Sequence, residues 1–145
     1  MHIRKSLARF ALVVSLTGAC VAGTGAASAS AATATLSIAY TGCVNAYGQE
    51  FDYTMRVRGT TANYQSMRIE ARLWGEDEWS DDFLGGPYVQ SYIYGGSYIL
   101  DFCVNKSTLN EDWGRDEIYA GVRVFNGATG KQTESVESNR LYDYF

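Results

Sequence analysis

Histidine is all but absent: the chain's one copy is His2, at its extreme N-terminus. A folded domain without histidine cannot run Ser-His-Asp or Cys-His chemistry, and it has no imidazole ligands for a catalytic zinc. Cysteine is nearly as scarce. Cys20, Cys43 and Cys103 are the three copies, and no C-x-x-C pair occurs. That leaves no redox-motif thiol and no zinc-ribbon spacing. Proline appears once, as Pro87, so strands elsewhere meet no proline interruption. No long apolar run is present either. The longest, Phe10 to Ala22, is shorter than the roughly 20 residues a membrane-spanning helix requires. Any reaction would rest on carboxylates, lysine or tyrosine alone, so no catalytic residue is assigned.

What the N-terminus does hold is an export signal. Arg4, Lys5 and Arg9 precede the apolar run, and small residues then lead to Ala27-Ser28-Ala29 and Ala29-Ser30-Ala31. This is the layout of a secretory signal peptide. We expect residues 1–31 to be the leader, 32–35 a flexible lead-in and 36–145 a single domain, secreted to the extracellular space. Lipoprotein anchoring through Cys20 is the lesser alternative, because Thr17 stands where such signals usually carry a branched apolar residue. Removing three of the twelve basic residues leaves nine against sixteen acidic ones, a mature net charge of −7. Nucleic acid is a poor partner for such a surface. A metal ion or a cationic partner suits it better. Cys43 and Cys103 are expected to form a disulfide in an oxidising compartment, closing a loop of about 60 residues.

Period two dominates the rest. Phe51, Tyr53, Met55 and Val57 alternate with Asp52, Thr54, Arg56 and Arg58. Met67, Ile69, Ala71 and Leu73 alternate with Arg68, Glu70 and Arg72, and Ile118 to Val124 repeat the pattern. Such alternation marks strands with one buried and one wet face. Gly95-Gly96 and Asn126 to Lys131 read as hairpin turns, and Pro87 as the start of a strand. The fold class is all-β: an antiparallel β-sandwich of about eight strands, immunoglobulin-like at most, with one disulfide. The cysteine separation suits a bridge between facing sheets, yet no tryptophan follows Cys43 and Asp101 stands where a tyrosine corner needs Tyr. A small barrel is the alternative.

Two stretches share an order of features. "EDEWSDDF", 76–83, and "EDWGRDEI", 111–118, each run Glu-Asp, Trp, a short gap, then acids and an apolar residue. Loops built alike can face one another at one end of a sandwich. Calcium takes six to eight oxygens, which two converging loops supply more readily than one. The candidate metal ligands are Glu76, Asp77, Asp81, Asp82, Asp112 and Asp116. "ARLWGEDEWSDDFLGG", 71–86, resembles a calcium-binding loop of the calcium-dependent lipid-binding β-sandwich domains of the synaptotagmin type. That resemblance implies a β-sandwich with an acidic, calcium-ordered end. It places Asp77 at the second turn aspartate and Asp81 or Asp82 at the later one, while Gly75 stands where the family has its first aspartate. The competing reading is a solvated acidic turn with no ligand.

All eleven tyrosines and all three tryptophans follow residue 31. On strict alternation Tyr88, Tyr92 and Tyr94 share one strand face, a row suited to stacking sugar rings or docking a protein. With Trp79 and Trp113 they are the candidate ligand-binding residues. The expected function is a small secreted, non-enzymatic binding module for an extracellular glycan or protein, with calcium as the one candidate cofactor. It has no membrane span and is a monomer or weak oligomer. An inhibitor or effector acting on another extracellular protein is the alternative. A carboxylate-dependent hydrolase, needing two acids at about 5 Å or at about 6.5 to 9.5 Å, is third.

Overall fold

The computed structural model describes residues 31–62, 65–110 and 115–145, with every side chain in that span except those of Tyr92 and Ile93. The expected leader lies outside these residues save for Ala31. Ten strands and one short helix follow in order: β1 (Thr33–Ala39), β2 (Cys43–Val44), β3 (Glu50–Phe51), β4 (Tyr53–Thr60), β5 (Met67–Gly75), β6 (Asp82–Ile93), β7 (Ser97–Val104), α1 (Lys106–Leu109), β8 (Asp116–Asn126), β9 (Gln132–Glu137) and β10 (Leu141–Asp143).

All pairing is antiparallel. One sheet has the order β1-β4-β7. The second runs β10-β8-β5-β6, with β9 also paired to β8, and β2-β3 form a separate two-stranded hairpin. The alternation in the sequence becomes the two inner faces. Along β5 the odd positions Met67, Ile69, Ala71, Leu73 and Gly75 are buried, and the even positions between them reach solvent. Leu36, Met55, Val57, Leu100 and Val104 of the first sheet join Ile69, Leu73, Val122 and Val124 of the second in one core. Full burial of each Leu, Ile, Val or Met side chain contributes roughly 1.5–3 kcal/mol. The all-β sandwich read from periodicity is the fold observed.

Three expectations change. Gly95 and Gly96 do make a tight turn, both with left-handed φ (90° and 73°), as a type I′ turn requires. Yet β6 and β7 do not pair, because the turn carries the chain from one sheet to the other. Alternation looks the same for a strand in either sheet, so the pattern did not distinguish the two. Pro87 does not open a strand but lies inside β6, where Gly85 faces Leu73 and Tyr88 faces Ala71, leaving extra residues between them. An edge strand at a bulge is where the missing N–H does least harm. Finally, Cys43–Cys103, with Cα atoms 5.5 Å apart, does not join facing sheets. It ties the β2-β3 hairpin to the end of β7. The second turn read from sequence is a hairpin: Asn126 to Lys131 joins β8 to β9, and the Asn126 side chain accepts from the Ala128 and Thr129 amides.

The C-terminus closes the base of the core. Phe145 is buried, its carbonyl accepts from Asn110 at 3.0 Å, and the Tyr40 hydroxyl donates to Asp143. That bond, ahead of partial burial, pushes the Tyr40 hydroxyl up to about 12 and holds the Asp143 carboxyl below its ordinary value.

Candidate functional site

A two-sheet sandwich has four sheet edges, and each exposes backbone donors and acceptors unless something covers them. Three of the four are managed here. The β1 edge is plugged by Asn139, whose carboxamide accepts from the Leu36 N–H at 2.8 Å and donates to the Leu36 carbonyl at 3.2 Å. On the same flank Thr61 donates to Glu134 of β9. The β9/β10 edge is split between two short strands. The β6 edge is interrupted by three register shifts and by Gly86-Pro87. Among the described residues only β7 presents a long regular edge: Ser97 to Val104 pair with Thr60 to Tyr53 in unbroken register.

The parity of that pairing identifies which groups are free. The Thr61 N–H donates to the Gly96 carbonyl at 2.8 Å. In an antiparallel ladder hydrogen-bonded pairs recur every second residue, so Tyr98, Leu100, Phe102 and Val104 direct their backbone groups at β4. Ser97, Ile99, Asp101 and Cys103 therefore direct theirs away from the sheet. Among the described residues nothing meets them.

Two depressions lie end to end along this strand. The first, about 590 Å³, is lined by Ser97, Tyr98 and Ile99 with Arg58, Thr35 and Gln90. The second, about 580 Å³, is lined by Asp101, Phe102 and Cys103 with Tyr88, Asn45 and Phe51. The first also touches Gly59 and Thr60 of the central strand β4, so it spreads over the outer face of the three-stranded sheet and meets β7 from that face. The second lies where the disulfide-held hairpin, the end of β7 and Tyr88 of β6 meet. Together they flank the open β7 edge and form a groove, with Gln90 of β6 beside its first part and the hairpin closing its second.

Local sequence explains how the groove is built. Gly59 has no side chain on the inner face, so the Tyr98 ring crosses it and its hydroxyl donates to the Thr33 carbonyl at 2.7 Å. Burial, followed by the field of Glu134, pushes the Tyr98 hydroxyl up to about 12. Tyr88 stacks on Phe102 with ring centroids 3.8 Å apart and planes 13° from parallel, and burial raises its hydroxyl above the usual value. On the outer face Arg56 grips Asp101 through two 2.7 Å hydrogen bonds. Those bonds hold the Asp101 carboxyl below its ordinary range. Ile99, 55% exposed, stands beside Arg58 across the ladder. Among the described residues Arg58 makes no ion pair.

No protein-family model and no curated protein matches the chain. Functional assignment therefore rests on the geometry.

The acidic end has a different character. Gly75 pairs with Ile118, and the Glu76 N–H donates to the Glu117 carbonyl at 2.7 Å. The described parts of the two acidic stretches thus adjoin at one end of the second sheet. Asp112 and Trp113 lie outside the described residues. Several of the carboxylates bind the protein itself. Glu76 and Glu137 both accept from Arg140, at 2.7 and 3.2 Å, and the Arg140 guanidinium sits 4.4 Å from the Tyr119 ring centroid. The Glu76 bond, ahead of that from Glu137, raises the Arg140 pKa. Asp81 accepts from the Tyr119 hydroxyl at 2.6 Å. Burial first, and then that bond, push this phenol upward. Asp116 is buried, whereas Asp77 and Asp82 are exposed. Among the described residues no group of three or more acids, cysteines or histidines is placed to hold a metal ion. Trp79 projects into solvent at 95% exposure.

The aromatic row is interrupted. Tyr88 faces Ala71 across the ladder and lies against Phe102 in the groove. A register shift beside Tyr92 then puts Ser91 opposite Arg68 and Ile93 opposite Met67. Tyr94 lies past the end of β6, exposed at the turn. Tyr88, in the groove, and Tyr94, past the end of β6, therefore do not share one strand face. The Tyr92 side chain lies outside the described ones. Sequence reasoning missed Ile99, Arg58 and Gln90. An isoleucine at a wet position of an alternating strand was the available signal for Ile99.

Proposed function

We propose that this chain is a secreted, non-enzymatic binding module whose ligand occupies the groove between β6 and β7. The observation that carries the reading is the eight-residue regular edge of β7, flanked along its length by two depressions. Open concave surfaces with apolar walls and a few fixed polar groups are the usual form of a binding site. Tyr88, Phe102 and Ile99 supply the apolar walls. Arg58, Gln90 and Asn45 supply polar contacts along the rim. The disulfide anchors the hairpin at one end, which limits the ordering cost a ligand must overcome. The disulfide supports the secreted part of the reading, since such bridges persist in oxidising compartments.

The test compares the wild-type protein with Ile99→Arg and Tyr88→Ala. Each is applied to insoluble polysaccharides and to extracellular protein fractions in pull-down experiments. Groove binding requires that a ligand retained by the wild type be lost by both variants while their circular dichroism is unchanged. Retention by both variants removes the groove from the argument. A glycan and a protein ligand are told apart by which matrix depletes the wild-type protein.

A further inference from the structure

We infer that the groove receives an extended polypeptide, added as a fourth strand alongside β7 and carrying a carboxylate side chain opposite Ile99. The inference rests on the binding-module reading and specifies its ligand. Strand addition supplies affinity through main-chain hydrogen bonds and specificity through alternate side chains. The N–H and C=O groups of Ser97, Ile99, Asp101 and Cys103 face away from β4, at the spacing an antiparallel or parallel partner reads. The other edges are unsuited to this: β1 is occupied by Asn139, and β6 is broken by bulges and Pro87. Proteins commonly blunt an exposed edge with charged side chains, proline or a bulge; β7 carries no proline or bulge, and its one charge, Asp101, is held by Arg56.

Side-chain chemistry narrows the occupant. A residue of the added strand opposite Ile99 lies two strand spacings from Arg58, about 9.5 Å. An arginine and a glutamate reaching toward each other span that distance on the outer face. Asp101 is already neutralised by Arg56, so the charge the groove offers there is positive. A second copy of the chain is a poor occupant, because two bodies of net charge −7 repel.

The probe is the peptide acetyl-Thr-Val-Glu-Val-Thr-Thr-amide, titrated into ¹⁵N-labelled full-length mature protein. Binding is read by amide shifts and hydrogen exchange. At a peptide concentration about ten times its Kd, exchange at Ser97, Ile99, Asp101 and Cys103 slows about tenfold, and the largest amide shifts fall on these four residues. A peptide N-methylated at alternate residues loses binding, and one with Lys in place of Glu binds more weakly. Ile99→Pro removes a donor that β4 does not use and abolishes binding. Arg58→Glu, at an exposed site where folding is not in question, reverses the Glu/Lys preference. No shift on β7 at millimolar peptide overturns the inference. So does equal binding of the N-methylated peptide, or protection of the same four amides by self-association without peptide. If a polysaccharide instead perturbs these residues, the groove reading stands and the polypeptide assignment fails.

Discussion

Gly59→Ala is the substitution the groove architecture tolerates least. A Cβ at this position points into the Thr33 carbonyl of β1 and the hydroxyl and ring of Tyr98. A flexible side chain can move aside, but the Thr33 oxygen is backbone within the β1-β4 ladder. The strands must therefore part. Overpacking of this kind costs about 3 kcal/mol at the upper end of its usual range. Displacing the Tyr98 hydroxyl forfeits its bond to Thr33, about 1 kcal/mol more. The lower chain entropy of alanine returns up to about 1 kcal/mol. The expected net loss is about 3 kcal/mol, a large share of the roughly 5–15 kcal/mol a domain possesses. Urea unfolding followed by tryptophan fluorescence reads this directly. With a slope of about 1.5 kcal/mol/M the midpoint falls by about 2 M. In a Tyr98→Phe background the same substitution should cost about 1 kcal/mol less, since the hydroxyl contact is already gone. A loss below about 1 kcal/mol for Gly59→Ala alone would refute the crossing of Tyr98 over Gly59.

Removing the disulfide by Cys43→Ser and Cys103→Ser should lower stability by about 4 kcal/mol, from a loop of 60 residues; an unchanged urea midpoint counts against that estimate. Tyr98 links stability to alkaline pH. Its folded-state value is raised from 10.0 to about 12, so its contribution is complete below pH 10 and is lost as pH rises through that window. The loss approaches 1.4 kcal/mol per pH unit, and Tyr98→Phe should flatten the profile there. Asn139→Ala exposes the β1 edge and leaves the Leu36 amide without its partner. We expect a loss of about 1–3 kcal/mol together with concentration-dependent association in sedimentation velocity, and a monodisperse variant of full stability argues against the plug. Glu76 and Asp81 are engaged by Arg140 and Tyr119, so adding millimolar calcium, or chelator, should leave the melting temperature unchanged; a rise with calcium would mean that the acidic end binds it by mass action.

Much of the fold was legible because burial on a sheet has a period of two. The runs Met67 to Leu73 and Ile118 to Val124 became the paired central strands β5 and β8 with the buried parity expected. The disulfide followed from Cys43 and Cys103 being the two cysteines beyond residue 31. The described parts of the acidic stretches adjoin because each abuts a strand and those strands pair. The groove beside β7 was not legible. It depends on which strands become edges, and Ile99 reads in sequence as one more alternating residue. The bulge near Tyr92 likewise left no mark in the pattern, although one inserted residue reverses the facing of every residue beyond it.

Composition, periodicity and cysteine count by themselves determined a chain rich in antiparallel strands, tied by one bridge and with its one histidine, His2, preceding β1 in the chain. These are local properties, set by residue type and by the two-residue repeat of an extended backbone. Tertiary structure alone decided that Gly95-Gly96 crosses between sheets, that Asn139 closes β1, and that β7 keeps an open edge. Such outcomes depend on contacts between residues far apart in the chain, 103 positions in the case of Leu36 and Asn139. No local pattern encodes them.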